Sequence, residues 1–120
     1  MISNYLWIAF FGSIGAISRF QLSLWFNHSG EFPFGTLIAN VVGCLLLGFL
    51  TSLSEIYLEG PLKKGLTTGL MGSLTTFSTF SMESIQLFEQ SPSQGGLYFV
   101  CQIGLGFFAA WIGYLLGRLL

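Results

Sequence analysis

The chain has 120 residues, of which 52% are hydrophobic and only 8% are charged. A soluble globular domain is usually about a quarter charged, so a mean hydropathy of +0.74 indicates a chain whose solvent is the lipid bilayer. The formal net charge of −1, without a basic stripe or zinc-ligand spacing, excludes nucleic acid as a partner. Cys44 and Cys101 stand singly in apolar stretches, so we expect neither a disulfide nor a metal site from them.

Four apolar segments are long enough to cross a hydrocarbon core of about 30 Å as helices. We place them at about residues 5–26, 35–57, 62–88 and 97–120, so that residues 1–120 form a single integral membrane domain. Turn-forming residues separate the segments, and Pro61 suits the first position of a helix. The first segment is too long for a signal-peptide core and lacks a basic leader, so we interpret it as a retained span.

Few charges specify the orientation of these spans. Lys63, Lys64 and Arg118 lie near one membrane face and Arg19 leans towards the other, so we expect that the chain can insert both ways. Aromatic residues near the segment ends are interpreted as interfacial anchors: Trp7, Trp25, Tyr57, Tyr98 and Tyr114.

Small residues recur at helix-neighbour spacing, which lets membrane helices approach closely. They are Gly12, Gly15 and Ala16 on span one, Thr36, Asn40 and Gly43 on span two, and Gly106, Ala110, Gly113 and Gly117 on span four. Four spans offer little interior for the polar residues among them, and polar residues need a lipid-free place to face. The sequence therefore predicts an oligomer.

The third segment contains a polar, glycine-interrupted run from Gly69 to Ser81 (GLMGSLTTFSTFS). Broken backbone at membrane depth is tolerated only where it is buried in protein or lines a wet cavity. Gly72 weakens the helix there, and a break over residues 72–75 would free carbonyl oxygens that attract a cation. A packing kink, with carbonyls bonded to Ser73 or Thr75 hydroxyls, is the alternative. A second half-helix starting near Thr76 would direct a partial positive field at an anion.

Phe77 and Phe80 share one face of that half-helix. Two such rings alone are more often lipid-facing or core residues. Hydroxyls beside them favour an anion path, because a ring edge carries partial positive charge. These hydroxyls belong to Thr76, Ser78, Thr79 and Ser81. Asn40 offers two donors, either for an interhelical hydrogen bond or for an ion. Thr36 is either a vestibule hydroxyl or, as we favour, bonded to its own backbone.

Three blocks of the chain resemble the Fluc (CrcB) family of small membrane fluoride channels. They are residues 12–19 (GSIGAISR), residues 33–40 (PFGTLIAN) with Gly43, and residues 69–80 (GLMGSLTTFSTF). The resemblance implies an all-α antiparallel, dual-topology homodimer with two passive fluoride pathways, in a bacterial or other microbial plasma membrane. It also implies a structural sodium ion at the dimer centre, held by backbone carbonyls of Gly72 and Thr75.

The resemblance also implies roles for side chains. The fluoride path would contain Asn40, Thr76, Phe77, Ser78, Phe80 and Ser81. Arg19 and Glu83 would lie in a vestibule, although taken alone Arg19 could snorkel and Glu83 could be solvated at the end of its span. Span four departs from relatives that carry a hydroxyl track, because no hydroxyl lies between Tyr98 and Tyr114. A second row of polar contacts must then come from Ser78, Ser81, Gln102 or water.

Two other functions compete with a channel. A small dual-topology multidrug exporter needs a membrane-embedded carboxylate, but span one has no acid and Glu83 lies near a span end. A non-transporting assembly subunit would explain the packing glycines but not Asn40 or the hydroxyl and phenylalanine run. An enzyme is excluded, because His28 and the few acids are scattered over turns.

Overall fold

A computed structural model describes residues 1–54 and 57–120, and all regular structure in that part of the chain is helical. Helix α1 spans Ile2–Phe26 and α2 spans Phe34–Ser54. The third span begins with α3 (Gly60–Lys64), a wider π-helical segment (Gly65–Met71) and α4 (Gly72–Leu74). It continues after a break as α5 (Phe77–Gln90), and α6 spans Pro92–Gly117. The prediction of an all-helical chain with four helical segments is confirmed.

The observed ends differ from the expected ones by a few residues. Helix α6 begins at Pro92, five residues before the predicted start at 97, because a proline is well tolerated in the first turn, where no intrahelical donor is needed. Pro61 likewise lies in the first turn of α3. The predicted end of span two, at residue 57, cannot be compared fully because residues 55 and 56 lie outside the described residues.

Helices α2 and α6 form the tightest pair, and both have the length and apolar composition needed to cross a membrane. Glycines let their backbones meet: a Cβ on Gly48 would strike the carbonyl oxygen of Ala110, and one on Gly113 would strike that of Leu45. Helix α1 packs along the first half of the third span, and α5 packs on α6. The predicted packing role of Gly113 is therefore confirmed.

Most large apolar side chains lie on the surface of the chain, where they can contact lipid or a partner. Few of them are buried, whereas many large ones are exposed on all four segments, including Phe10, Phe20, Leu97, Phe107 and Trp111. Exposed apolar surface of this extent is unfavourable in water, and exposed apolar patches on soluble monomers are normally small. The small core lies at the break, where Ala39, Met71 and Leu74 cluster, and beside it, where Phe80, Leu87 and Tyr98 cluster.

Candidate functional site: the broken third span

The third span breaks at Thr75 and Thr76, one turn later than the sequence indicated. Gly72 is helical (φ −63°, ψ −29°), whereas Thr75 (φ −79°, ψ 151°) and Thr76 (φ −149°, ψ 118°) are extended. The sequence predicted a break over residues 72–75. The predicted start is wrong, because Gly72 is the first residue of the helical turn α4 and the chain becomes extended only at Thr75. Two β-branched residues, which favour extended backbone, make the break instead.

Asn40 of α2 bonds to both backbone groups of Thr76. The Thr76 N–H donates to Asn40 Oδ1 at 2.7 Å, and Asn40 Nδ2 donates to the Thr76 carbonyl at 3.1 Å. The N–H of an extended residue inside a span has no helical partner, and leaving it unpaired is costly. The carbonyl of an N-cap residue also accepts the first bond of its own helix. Asn40 thus stabilises the break by supplying the missing partner of the N–H and a second donor to the carbonyl.

Thr76 also caps α5. Its hydroxyl accepts from the Thr79 N–H at 3.2 Å, as an N-cap threonine does, and lies 3.4 Å from the Ser78 hydroxyl. The Ser81 hydroxyl donates to the Phe77 carbonyl at 2.8 Å, within its own helix. Of the three predicted path hydroxyls, Thr76 is part of the break, Ser78 lies beside it, and Ser81 bonds to its own helix.

Side chains contact several carbonyls near the end of the first half. The Ser73 hydroxyl lies 2.7 Å from the Gly69 carbonyl oxygen, and the Thr75 hydroxyl lies 3.0 Å from that of Met71. Arg19 donates from Nε to the Ser73 carbonyl at 3.1 Å. These are the contacts of the predicted packing kink. None of the hydrogen bonds described around the break reaches the carbonyl oxygen of Gly72 or Thr75, and Gly72 is exposed.

Arg19 contacts the break. Its guanidinium, partly buried, crosses from α1 to the carboxyl end of α4. A cation is favoured at that end of a helix because the carbonyl dipoles point towards it. The vestibule role of Arg19 stays a prediction.

The two phenylalanines differ in exposure. Phe80 is 3% exposed and packs against Tyr98 and Phe99, with ring centroids 5.8 and 5.5 Å away. Phe77 is 74% exposed in the single chain. Their centroids lie 5.4 Å apart with planes inclined at 71°, an edge-to-face pair. One ring thus belongs to the core, and the other stands on the open surface beside it.

An open groove of about 430 Å³ brings together four of the six predicted path residues, Asn40, Thr76, Phe77 and Phe80. The predicted Ser78 and Ser81 are not part of its lining, which also includes Thr75 and Gln102. Phe107, 76% exposed, is part of the groove wall on α6. The groove therefore joins the break to α2 and α6, and its open side faces away from the chain.

A second, polar cavity of about 480 Å³ lies under the turn between α1 and α2, and Glu83 lines it. The Glu83 carboxylate accepts from Thr36 Oγ1 at 2.9 Å, Asn27 Nδ2 at 3.2 Å and the Tyr98 hydroxyl at 2.5 Å. The Thr36 hydroxyl thus donates to Glu83. We expected from the sequence that it would bond to its own backbone, and that interpretation is wrong. Three neutral donors, and no cation among the described residues, hold this carboxylate.

Asn27 lies between the first two predicted spans, and the structure adds it to the site. Its Oδ1 accepts from the N–H groups of Gly35 at 2.7 Å and Thr36 at 3.4 Å, and so caps α2. Its Nδ2 donates to the Thr36 hydroxyl as well as to Glu83. An asparagine seven residues before a helix gives no capping signal in the sequence.

Tyr98 was interpreted as an interfacial anchor, and that interpretation is wrong. The side chain is fully buried, donates to Glu83 and accepts from Gln102 Nε2 at 2.9 Å. Gln102 Oε1 in turn accepts from Asn40 Nδ2 at 2.9 Å. A row of four side chains thus connects the polar cavity to the groove. The spacing of Tyr98 and Gln102, four residues apart on one helix face, is the signal that could have indicated it.

The fold and the site define an all-helical, multi-pass membrane protein whose third span is broken beside a polar and aromatic groove. The family model described as "CrcB-like protein, Camphor Resistance (CrcB)" matches residues 6–114. The chain belongs to this family.

Several relatives extend the match over nearly the whole chain. The Fluoride-specific ion channel FluC 2 of Staphylococcus saprophyticus is 52% identical over 88 residues, which are 72% of each chain. FluC 1 of Staphylococcus aureus strain NCTC 8325 is 40% identical over 117 residues, 95% of this chain and 96% of its own. FluC of Thermotoga maritima is 39% identical over 120 residues, 96% and 94% of the two chains.

Proposed function

We infer that the chain is a fluoride-selective ion channel of the bacterial plasma membrane, with passive permeation and no catalysis. The observation that carries this conclusion is the full-length similarity to relatives named fluoride-specific ion channels. Those relatives do not favour a coupled exporter or an assembly subunit.

The groove at the break suits a small anion. Helix α5 directs its amino terminus at the groove, and the partial positive charge there favours an anion. The Phe77 and Phe80 rings can present positively polarised edges, and amide and hydroxyl groups can replace part of a hydration shell. A path without a cationic side chain in the groove lining binds an anion weakly enough to release it. We propose that fluoride passes Asn40 and the two rings.

The polar cavity would form the aqueous entrance. Glu83 is part of its lining, and the row of hydrogen bonds through Tyr98 and Gln102 begins there. Its carboxylate keeps its formal charge, and the bonds from three neutral donors hold its oxygens in place. We propose that Glu83 organises the entrance while Arg19 stabilises the break.

We propose further that two copies assemble as an antiparallel, dual-topology homodimer. The open side of the groove, with Phe77 and Phe107 on its rim, needs a cover other than lipid if an ion is to pass. A second copy of the chain would supply that cover, and the sparse charges at the span ends give little preference for one orientation.

We propose a structural sodium ion at the centre of this dimer. The carbonyl oxygens of Gly72 and Thr75 accept none of the hydrogen bonds around the break, and oxygen ligands suit a hard cation. Two carbonyls from each of two copies would make a four-oxygen site. The bound ion would supply positive charge near the anion paths.

A fluoride-electrode assay of efflux from liposomes tests the function. We expect rapid fluoride release with little chloride release, and equal release of both anions would contradict the selectivity. Tag accessibility from both membrane faces tests the dimer, since a single orientation in cells excludes an antiparallel pair. Exchange of sodium for choline should lower the thermal stability of the assembly, and unchanged stability would contradict the cation site.

A further inference from the structure

Both hydrogens of the Asn40 amide are already in use. Asn40 Nδ2 donates to the Thr76 carbonyl at 3.1 Å and to Gln102 Oε1 at 2.9 Å, while its oxygen accepts from the Thr76 N–H. A primary amide offers two donor hydrogens and no more. An anion in the groove can therefore receive a hydrogen from Asn40 only if one of the two acceptors releases it.

The two acceptors differ in how readily they can move. The Thr76 carbonyl belongs to the backbone of the break and shares a reciprocal pair of hydrogen bonds with Asn40. Gln102 Oε1 sits at the end of a flexible side chain from another helix, and that side chain also lines the groove. Gln102 is thus the acceptor that an anion can displace.

Gln102 is nevertheless held in place. The residue is 6% exposed, and its Nε2 donates to the Tyr98 hydroxyl, which donates to Glu83. The carboxylate can only accept, so it fixes the Tyr98 hydroxyl as a donor and leaves the Tyr98 oxygen to accept from Gln102. This polarity points the Gln102 carbonyl, rather than its amide nitrogen, at Asn40.

Resting on the proposed function, we propose that Gln102 sets the affinity of the ion path, because its carbonyl competes with the permeating anion for one hydrogen of the Asn40 amide. Fluoride is a strong hydrogen-bond acceptor and displaces an amide carbonyl from an N–H donor. The free energy lost on displacing the carbonyl lowers the affinity for the bound anion, and an ion path needs sites that release the ion as well as bind it. Gln102 thus favours release without itself choosing between anions.

The variant Gln102→Met tests this role because it keeps the length of the side chain and removes the carbonyl. We expect fluoride flux in liposomes to reach half-saturation at about a fivefold to tenfold lower concentration, the effect of releasing one ordinary hydrogen bond. The ratio of chloride to fluoride flux should not rise, because displacing the carbonyl costs fluoride at least as much free energy as chloride. Tyr98→Phe leaves the carbonyl but removes its anchor, so the half-saturating concentration should move in the same direction by less.

Leu105→Met is the matched control, since Leu105 lies on the same helix, is exposed and is not part of the groove lining. It should leave the half-saturating concentration unchanged. Unchanged half-saturation in both Gln102→Met and Tyr98→Phe would overturn the role of Gln102. A wild-type chain that passes no fluoride would instead overturn the proposed function.

A spectroscopic readout tests the contact without relying on flux. Asparagine occurs only at positions 4, 27 and 40, so selective ¹⁵N labelling gives three side-chain amide pairs in the NMR spectrum. Gln102→Met should move one Asn40 amide proton upfield in the absence of fluoride, and added fluoride should move one proton of the wild-type pair more than the other. If the Asn40 amide resonances shifted neither with the substitution nor with added fluoride, the competition between Gln102 and the anion would be wrong.

Discussion

The two halves of the third span end in opposite ways where they meet. The first half, residues 60–74, presents carbonyl oxygens, and those of Gly69, Met71 and Ser73 accept from the hydroxyls of Ser73 and Thr75 and from Arg19 of α1. The second half, α5, presents N–H groups, which are satisfied by the Thr76 hydroxyl and by the neutral Asn40 amide from α2. One end thus receives a formal cation, and the other receives only dipoles.

This difference shows how a short chain can separate a stabilising charge from an ion path. A guanidinium in the groove would bind an anion too tightly to release it. At the carboxyl end of α4, the same guanidinium stabilises the helix end instead. The groove is lined by groups that can donate hydrogen bonds without carrying a formal charge. Variants at each end of the break can test this division.

Asn40→Ala should have the largest effect. It removes the partner of the Thr76 N–H and the donor in the groove, and an unpaired buried group costs about 1 to 3 kcal/mol. We expect fluoride flux to fall about a hundredfold and the thermal unfolding temperature to drop. The neighbouring substitution Val41→Ala makes the control. Normal flux in Asn40→Ala would remove the break from the ion path.

Phe80→Ile and Phe77→Ile should separate the two rings of the second half. Phe80→Ile removes a buried ring from its contacts with Tyr98 and Phe99, so both flux and stability should fall, the latter by about 1 to 3 kcal/mol. Phe77→Ile should reduce flux while changing the stability of the single chain little, because that ring is exposed. Flux and thermal unfolding of both proteins give the comparison. Equal loss of stability in the two variants would contradict the assigned division between core and groove.

Arg19→Met should lower the stability of the first half of the third span. The loss of its bond to the Ser73 carbonyl and of a cation at that helix end should lower stability by about 1 to 2 kcal/mol. Arg19→Lys keeps the charge and a donor, so it should retain most of the stability. Thermal unfolding in detergent measures both. If Arg19→Lys lost as much as Arg19→Met, helix-end stabilisation by charge would be wrong.

Thr76→Val should have the smallest effect. The substitution keeps the β-branched shape that favours extended backbone but removes the N-cap hydroxyl that accepts from the Thr79 N–H. We expect a loss of about 1 kcal/mol in stability. Thr79→Val, which leaves the backbone N–H in place, is the control, and an equal loss there would show that the cap contributes little.

Much of the fold could be predicted because it depends on local patterns. Apolar segment length, turn residues and the polar run in the third span are all visible in the sequence, and they placed four helical segments and an interruption. The position of the interruption was missed by one turn. A glycine is a weak helix former, but Gly72 stays helical, and the break is decided by the pairing of Thr76 with Asn40, 36 residues away.

The site was predictable only where one residue carries the signal. Asn40, Phe77 and Phe80 were identified from residue type, spacing and resemblance, and the structure brings them to one groove. Tyr98 and Asn27 were missed because their roles depend on partners from other helices, Glu83 and the start of α2. The contact of Arg19 with the Ser73 carbonyl was missed for the same reason, since nothing in span one indicates it.

The position of the partners along the chain has a consequence for synthesis. Chains are made and begin to fold from the amino terminus, so Arg19 and Asn40 are already available when the third span emerges. The third span can therefore contact Arg19 and Asn40 as soon as it inserts, and its broken backbone is paired without a stage in which it is exposed to lipid. Tyr98 and Gln102 follow later, so that the row reaching Glu83 is completed only when the last helix has inserted.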